Sequence, residues 1–452
     1  MQDPYSHKAV RRIALPMIVS SITAPLLGMV DTAVMGHLDD AAFLGAVAAG
    51  ATIFSVLFMG LNFLRMGTTG ITAQAFGAGD NETIRTALGQ PILTAFVLAM
   101  AIIALQQPLL DTALWILSPS SDVSHLTRTY FEIRIWSAPA SLINYVLMGW
   151  LIGMQNARGP LVIMLVINLM NVMLDLVFVL LLGMTVDGVA LATLISELSG
   201  IVIAVLFVRN ELASRPGQWI RSAFIEPANY RRLFDVNANL FLRTMALMFV
   251  FVFITARGAR MGDIILATNA LLMNFQLFQA YALDGIAYAA EALVGKAVGG
   301  RDREGVRSAV RRTLQWSLVF AGLFCIVYAI AGQMIIAMLT SIDNLRITAR
   351  EFLPWLVISP LISVWSFLYD GVFVGATRTK EMMLIMVGSM VLVFLPTWFG
   401  TISLGNHGLW LAFTAFMLAR GIGMHVWFRR MINGPELALE KPAAEKPGNA
   451  DA

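Results

Sequence analysis

Charged residues and cysteines are both scarce in this chain of 452 residues. Asp, Glu, Lys and Arg make up only 13% of it, against about 25% in soluble domains, and 58% of the residues are hydrophobic. This balance excludes a soluble globular domain and predicts a helical protein that crosses a membrane many times. The only cysteine, Cys325, excludes an intrachain disulfide and a cysteine-based metal site. The five histidines show no HExxH motif or other ligand spacing, so the sequence predicts no metal and no cofactor other than a coupling ion.

Twelve apolar runs are long enough to cross a bilayer, which takes about 20 residues per helix. Six of them precede the polar linker 209–231, which is predicted to be cytoplasmic, and six follow it. We therefore predict an all-α membrane protein whose twelve transmembrane helices form two six-helix lobes, 1–208 and 232–430, followed by a disordered tail at 431–452. The predicted spans are 13–37, 42–76, 82–106, 124–150, 160–182, 188–208, 232–257, 263–298, 304–331, 346–374, 381–404 and 408–430.

The basic residues decide the orientation of these spans. Under this assignment most Lys and Arg side chains fall in loops on one side of the membrane, whereas the other side is richer in aspartate. The positive-inside rule then places both termini in the cytoplasm of a multi-pass protein of the bacterial inner membrane, and an even number of spans agrees with this because it leaves both termini on one side. The net charge of +3 therefore reflects orientation in the membrane and does not indicate nucleic-acid binding.

Part of the first half of the sequence recurs in the second half. The segment 72–87 (TAQAFGAGDNETIRTA) aligns with 293–309 (LVGKAVGGRDREGVRSA), and GWLIG at 149–153 aligns with GVFVG at 371–375, in both cases with an offset of 222 positions. A shared offset in distant segments predicts a parallel repeat of two six-helix halves related by a pseudo-two-fold axis. In such folds the substrate site lies in a central cleft between the halves, and access alternates as the halves move.

The first predicted span carries one carboxylate, Asp31, together with Pro16 and Pro25. A charge inside hydrocarbon costs several kcal/mol, so such residues are rare and point to a function. Prolines interrupt the hydrogen-bond ladder of a helix and give it a place to bend. An ionisable group on a helix that can bend is what a coupled pump requires.

Other polar residues are expected near Asp31 in the outer half of the membrane. On the fifth span, Asn171 and Asp175 are four residues apart and share one face. Two carboxylates close together at low dielectric constant do not both ionise, so we expect Asp31 and Asp175 to hold a proton that loads outside and unloads inside. A buried polar network that only holds helices together is the alternative. The remaining members of this predicted cluster are Asn168, Thr193, Tyr130 and Asn144.

The second half lacks this cluster, because Phe253 and Thr397 stand where the offset would place the two carboxylates. Its charges lie toward the predicted inner ends of the helices, where Arg65 of the first half is at a comparable depth. Opposite charges at one level predict an ion-pair network that closes the cytoplasmic side, with cation or substrate binding as the alternative. The charged residues of this C-lobe network are Asp284, Glu291, Asp370 and Arg243.

Four segments resemble the MATE (multidrug and toxic compound extrusion) transporter family, and in particular its branch named for DNA-damage-inducible protein F. The segments are ITAPLLGMVDTAVMGHL, FLRMGTTGITAQAFGAGD, SAPASLINYVLMGWLIGMQNAR and AYALDGIAYAAEALVG. The resemblance covers about residues 8–430. It implies two six-helix lobes that form a V around a central cleft, a monomer, and cation-coupled export of amphipathic, often cationic drugs or toxins.

The resemblance also implies roles for individual residues. In proton-coupled members an acid on the first helix matches Asp31, and an Asn/Asp pair on the fifth helix matches Asn171 and Asp175. Sodium-coupled members carry a glutamate in the seventh helix, which this chain lacks, although Asp370 matches their tenth-helix aspartate. Three further matches are Thr193 to the threonine of helix six, Tyr130 to the tyrosine of helix four, and Pro16, with Pro25 as an additional candidate, to the proline that bends helix one.

We therefore predict a proton-coupled antiporter, not an enzyme, whose partners are small-molecule drugs or toxins and the lipid bilayer, with Na⁺ coupling as the alternative. A flippase for a lipid-linked precursor would need a cationic cleft, whereas the predicted mid-membrane charges are mainly acidic. An intramembrane aspartyl protease would need a GxGD motif beside Asp31 or Asp175, and none lies near either residue.

Overall fold

The computed structural model describes residues 3–35, 41–225 and 230–434, of which 24–35, 41, 221 and 225 are described by their backbone alone. Within these ranges the regular structure is helical and no β-strand is present. An apolar chain folds this way because a helix satisfies its own backbone hydrogen bonds inside a bilayer. The all-α fold class predicted from the sequence is confirmed.

Seventeen α-helices, α1 to α17, are found in these ranges. The first half contains α1 (His7–Met35), α2 (Ala41–Leu61), α3 (Phe63–Ala78), α4 (Asn81–Ala104), α5 (Gln106–Leu117), α6 (Ser121–Arg134), α7 (Ala138–Gly153), α8 (Arg158–Asp175) and α9 (Val186–Ala213). The linker and the second half contain α10 (Arg221–Ile225), α11 (Arg231–Arg260), α12 (Asp263–Gly299), α13 (Arg303–Leu339), α14 (Asp343–Gly375), α15 (Thr379–Ser389), α16 (Leu395–Gly400) and α17 (Asn406–Asn433). Short π-helical segments follow α8 at Leu176–Leu181 and α15 at Met390–Phe394.

Each of the twelve predicted spans corresponds to one helix or to consecutive helices in the described residues. Ten of the resulting helical stretches are long and apolar enough to cross a membrane. The other two are α1, whose C-terminal part is described by its backbone alone, and α12, which carries three acidic residues and one lysine. These charges lower the hydropathy of α12, and they include two of the acidic residues that the sequence places in the C-lobe network.

The short helix α5 is absent from the span assignment. Its 12 residues make it about 18 Å long, which is too short to cross a bilayer. Leu110 and Leu114 are buried, whereas Trp115 and Ile116 are 79% and 67% exposed. Apolar side chains that are exposed beside a tryptophan are typical of a helix that lies in the membrane interface.

Contacts group the chain into two compact units. The first unit consists of Ile13–Thr69 and Asn81–Met245, and the second unit consists of Met1–Arg12, Gly70–Asp80 and Ala246–Ala452. The units do not follow the order of the chain, because the start of α1 and the end of α3 pack with helices of the second half.

The predicted linker 209–231 is partly helical and packs on α4 within the first unit. Arg85 donates a hydrogen bond to the carbonyl oxygen of Arg215 at 2.7 Å, and Gln90 donates to that of Ala223 at 2.6 Å. The linker is therefore fixed by bonds from side chains of α4 to its backbone.

The N-terminal segment 3–12 packs on α13 within the second unit. Asp3 accepts a hydrogen bond from Arg312, and the buried Tyr5 lies against Gly305. Hydrogen bonds from the Tyr5 N–H and from Arg312 hold the pKa of the Asp3 carboxyl below its usual range. At the other end of the chain α17 continues to Asn433, past the predicted start of the tail at 431, and residues 435–452 lie outside the described residues.

The 222-residue repeat is visible in the backbone. Residues in the left-handed region recur at equivalent helix ends, and an uncommon conformation that recurs at one offset confirms the predicted repeat. The pairs, with their φ angles, are Gly79 (71°) and Arg301 (52°), Gln155 (62°) and Thr377 (53°), and Gly183 (68°) and Gly405 (56°).

Two repeated glycines allow α3 and α12 to cross closely in the second unit. A Cβ atom on Gly77 would overlap the carbonyl oxygen of Lys296, and a Cβ atom on Gly299 would overlap that of Gln74. The offset of 222 relates the two glycines and also the two carbonyl groups, so the same contact is made twice. Small residues let helix backbones approach this closely, which explains why the glycine recurs in the repeated motif.

Candidate functional site

Three of the predicted site residues come together in the first unit. Asp175 ends α8 with its side chain fully buried, and Asn171, one turn earlier, is 1% exposed. The side-chain amide of Asn171 has one orientation in which both its nitrogen and its oxygen form a hydrogen bond. In this orientation the nitrogen donates to Asp175 Oδ2 at 3.2 Å, and the oxygen accepts from the backbone N–H of Thr193 at 3.2 Å. Thr193 in turn donates its hydroxyl to the carbonyl oxygen of Val189 at 3.1 Å. The Asn171 amide therefore joins the buried carboxyl group of α8 to the neighbouring helix α9.

Asn168 connects the same face of α8 to α1. Its amide nitrogen donates to Thr23 Oγ1 at 2.9 Å, and the Thr23 hydroxyl donates to the carbonyl oxygen of Ser20 at 2.7 Å. This bond fixes the register between the two helices at the level of Thr23. The backbone of α1 stays helical through Pro16, which is half-buried, and on to Met35. The side chains of Pro25 and Asp31 lie outside the described residues.

Tyr130 is buried in α6 and its hydroxyl faces Arg134, one turn further along the same helix. The guanidinium donates to the Tyr130 hydroxyl and lies 4.6 Å from the ring centroid of Phe54 on α2. A Cβ atom on Gly50 would overlap the Tyr130 ring, so α2 and α6 are in close contact here. The structure thus places Tyr130 in an aromatic pocket with a cation.

Asn144 contacts an acidic residue that the sequence analysis did not single out. Its amide nitrogen donates both to the backbone carbonyl oxygen of Glu197 and to its Oε2, each at 2.9 Å. Glu197 also lies close to Ser141 and within the electrostatic range of Arg134. A signal for Glu197 is present in the sequence, because it is the only charged residue of α9 between Asp187 and Arg209. A lone carboxylate inside an apolar helix is the same signal that identified Asp31.

The second unit contains a buried ion pair. Asp370 on α14 accepts from Arg420 on α17 at 2.9 Å, and the two side chains are 11% and 3% exposed. The guanidinium of Arg420 also lies 5.4 Å from the ring centroid of Phe416. The sequence analysis named Asp370 and did not name Arg420 as its partner.

The other residues of the predicted C-lobe network lie on two helices, α12 and α11. Glu291 is buried on α12, and Asp284 is half-buried on the same helix. Arg243 is 8% exposed and belongs to the first unit, whereas both acidic residues belong to the second. In the described part of the chain, no group of three or more His, Cys, Asp or Glu side chains is arranged to hold a metal ion.

The carboxyl groups buried within helices of the first unit can bind protons or small cations, and the amide, hydroxyl and guanidinium groups beside them can form hydrogen bonds to them. These neighbouring groups are the donors and acceptors that stabilise either form of a carboxyl group in a medium of low dielectric constant. No lipid chain can supply these hydrogen bonds.

Comparison with known proteins identifies the family of this chain. The MatE family model matches residues 16–177 and 240–399. DNA damage-inducible protein F of Escherichia coli is 46% identical over 95% of this chain and 94% of that protein. The probable multidrug resistance protein NorM of Thermotoga maritima is 25% identical over 92% of this chain and 91% of that protein. A crystal structure of MATE in complex with MaD3S superposes with a TM-score of 0.83 at 19% identity and covers 94% of this chain and 96% of that one.

The crystal structure supports the fold alone, because its sequence identity is low. The family match extends over well more than half of the chain, and the identity to the Escherichia coli protein extends over nearly all of it. The chain belongs to the MatE family of membrane transporters.

Proposed function

We propose that this protein is a proton-coupled antiporter that exports amphipathic, often cationic drugs or toxins across the bacterial inner membrane. Both termini lie in the cytoplasm. The observation that carries the proposal is the fully buried Asp175 carboxyl group, which Asn171 joins to α9. The name of the Thermotoga maritima relative, a probable multidrug resistance protein, favours drugs as the class of substrate.

The register between α1 and α8 supports pairing of Asp175 with Asp31. Starting from the hydrogen bond between Thr23 and Asn168, Asp31 is eight residues further along α1 and Asp175 is seven residues further along α8. At 1.5 Å per residue these rises are about 12 Å and about 10 Å. The first and fifth spans are predicted to run outward, so the two carboxyl groups are expected at one level. That level lies in the outer half of the membrane.

In the proposed cycle a proton from outside neutralises the Asp31–Asp175 site. Helix α1 then bends at Pro16 or Pro25, the cavity of the first lobe narrows, and the bound compound leaves outward. Loss of the proton to the cytoplasm resets the transporter. A ligand shifts a conformational equilibrium only by its differential affinity, so the proton must bind the two states unequally.

Proton coupling is favoured over Na⁺ coupling by the position of Asp370. This residue matches an aspartate of the sodium-coupled members, but here its carboxyl group contacts the guanidinium of Arg420 at 2.9 Å. A cation at the same carboxylate would have to compete with this buried positive charge.

The test uses purified protein in liposomes that contain ethidium as the transported dye. An imposed pH gradient, with and without Na⁺, drives export. Asp31→Asn and Asp175→Asn should each lower export at least about tenfold, because the amide cannot bind the coupling proton. Asp187→Asn is the matched control, since Asp187 lies in the first turn of α9, where it accepts from the Thr185 N–H at 2.9 Å.

Export by either variant at the wild-type rate would contradict the coupling role. Export that requires Na⁺ and ignores the pH gradient would replace proton coupling with Na⁺ coupling.

A further inference from the structure

Glu197 lies directly beyond the Asp175 cluster on the predicted path toward the cytoplasm. It is four residues after Thr193 on α9, so the two side chains share one face of the helix. The sixth span is predicted to run inward, and one turn of helix places Glu197 about 6 Å deeper than Thr193. The Asn171 amide already joins Thr193 to Asp175. Polar groups therefore lead from the Asp175 carboxyl group of α8, through Asn171 and Thr193, to the Glu197 carboxyl group of α9.

The surroundings of Glu197 suit both forms of a carboxyl group. The ionised form accepts from the Asn144 amide at 2.9 Å and faces the positive charge of Arg134. The protonated form needs an acceptor for its O–H. Asn144 is 1% exposed, and its Oδ1 has no hydrogen-bond partner among the described residues, while Ser141 lies beside the same carboxyl group. A buried amide oxygen without a partner, next to a carboxyl group, marks a place where a proton donor is expected.

The charged and titratable groups around Glu197 are few. Helix α6 contributes Arg134, which also bonds the Tyr130 hydroxyl, and α8 contributes Asp175 through the Asn171 amide. Helix α2 contains no titratable residue, and Tyr145 is the one titratable residue of α7. Arg134 Nε has no hydrogen-bond partner within the described residues, so the guanidinium keeps a donor for the carboxylate. One cation, Arg134, thus interacts electrostatically with the Glu197 carboxyl group.

We propose that Glu197 is a second proton-binding site, which receives the coupling proton from Asp175 on its way to the cytoplasm. The proton leaves the Asp175 carboxyl group, which becomes a carboxylate, and converts the Glu197 carboxylate into a neutral acid. No other bond forms or breaks. This inference rests on the proposed proton coupling and adds an inner site to it.

The experiment compares Glu197→Gln with Asp175→Asn and with Glu211→Gln in liposomes. Glu211 is the control because it lies on the same helix, at its end, and bonds Asn156 at 2.8 Å. Two rates are measured for each protein: ethidium export driven by a pH gradient, and ethidium exchange across the membrane without a gradient. Glu197→Gln should lower the driven export at least about tenfold and leave exchange within about twofold of wild type, because only proton transfer is lost. Glu211→Gln should retain both rates.

A conservative variant separates titration from packing. Glu197→Asp keeps a carboxyl group and should retain measurable driven export with a shifted dependence on pH. If Glu197→Asp elutes and melts like the wild type but is as inactive as Glu197→Gln, titration at this position is refuted. Loss of exchange together with driven export in Glu197→Gln would likewise indicate a structural role and overturn the proposal.

Failure of this inference differs from failure of the proposed function. Wild-type export by Glu197→Gln, together with loss of export in Asp175→Asn, would overturn the inner site and leave proton coupling at Asp175 intact. Wild-type export by both Glu197→Gln and Asp175→Asn would overturn both the inner site and proton coupling at Asp175.

Discussion

Helix α7, together with the turn before it, is equivalent to part of α14 in the repeat, and both carry small polar residues at the same three positions. The groups that face these residues differ between the two halves of the chain. In both halves the third residue donates a hydrogen bond to the backbone of a neighbouring helix: Asn144 donates to the carbonyl oxygen of Glu197 on α9, and Ser366 donates to that of Met417 on α17. The equivalent positions, all buried and 222 apart, are Ser137 and Ser359, Ser141 and Ser363, and Asn144 and Ser366.

The difference lies in charge. In the first unit Ser141 and Asn144 lie beside the Glu197 carboxyl group, which also interacts electrostatically with Arg134. In the second unit the equivalent row of residues contacts neutral amides, because Gln276 and Gln279 of α12 donate to the hydroxyl of Ser359 at 2.5 and 3.2 Å. The repeat therefore preserves the way these helices are held together. Under the proposed function, the carboxyl group that binds a proton lies beside the first row, and neutral amides contact the second row.

The largest expected effect concerns the ion pair of the second unit. The first half has Met148 and Leu198 at the positions equivalent to Asp370 and Arg420. Asp370→Met should lower the free energy of unfolding by about 3 kcal/mol or more, because it leaves the buried guanidinium without its carboxylate. The double variant Asp370→Met/Arg420→Leu copies the first half and should recover most of that loss. Thermal unfolding in detergent measures both, and a double variant as unstable as the single one would contradict the prediction.

The reciprocal crossing of α3 and α12 gives the next largest effect. Gly77→Ala and Gly299→Ala should each lower the free energy of unfolding by about 2 kcal/mol, because each added Cβ meets a carbonyl oxygen. The double variant should lower the free energy of unfolding by less than the sum of the two single losses, since both changes push the backbones of α3 and α12 apart. Gly322→Ala on α13 is the control, because its Cβ would meet nothing within 4 Å. Unequal losses in the free energy of unfolding for Gly77→Ala and Gly299→Ala would contradict the prediction that the two contacts are equivalent.

A smaller effect is expected when one serine is removed from each of the two rows of small polar residues. Ser141→Ala and Ser363→Ala should each change the free energy of unfolding by about 1 kcal/mol. Only Ser141→Ala should also shift the pH dependence of ethidium export, because Ser141 lies beside a carboxyl group and Ser363 lies beside Gln279. Export from liposomes over a range of pH values tests this, and an equal shift in both variants would argue against the specialisation of the first half.

The smallest effect compares the segments that cover α4 and α13. The Arg85 guanidinium holds the linker through a backbone carbonyl group, whereas Arg312 of α13 holds the N-terminal segment through the Asp3 carboxylate. The pKa of Asp3 is lowered in the folded state, so its contribution to stability is present above the unfolded pKa and is lost as pH falls through the folded one. At neutral pH the free energy of unfolding of the wild type should be higher than that of Asp3→Asn by less than about 1 kcal/mol, since the ion pair between Asp3 and Arg312 is partly exposed. Unfolding at neutral and acidic pH should show that this small difference disappears in acid.

Much of the fold follows from the sequence because hydropathy and spacing are local properties. The lengths of the apolar runs predicted the spans, and the offset between Gly77 and Gly299 predicted the repeat. The short helix α5 was not predicted, because hydropathy along the sequence does not separate an interfacial helix from a loop between spans.

The candidate site could be predicted only in part, for a different reason. The spacing of Asn171 and Asp175 places them on one face of a helix, so their proximity needed no tertiary information. Partners on other helices depend on how each helix is rotated, and depth alone does not select Arg420 for Asp370 among several arginines. The contact between Tyr130 and Arg134 is local, because the two residues are one turn apart on the same helix.

The doubled contact between α3 and α12 bears on how such a chain can arise. A contact that pairs one surface with a copy of itself is isologous, which is the kind that joins identical subunits in a two-fold dimer. Gly77 against Lys296 and Gly299 against Gln74 form such a contact within one polypeptide. A half-length ancestor would already have carried both sides of it and would have needed no new surface to associate before its gene was duplicated and fused.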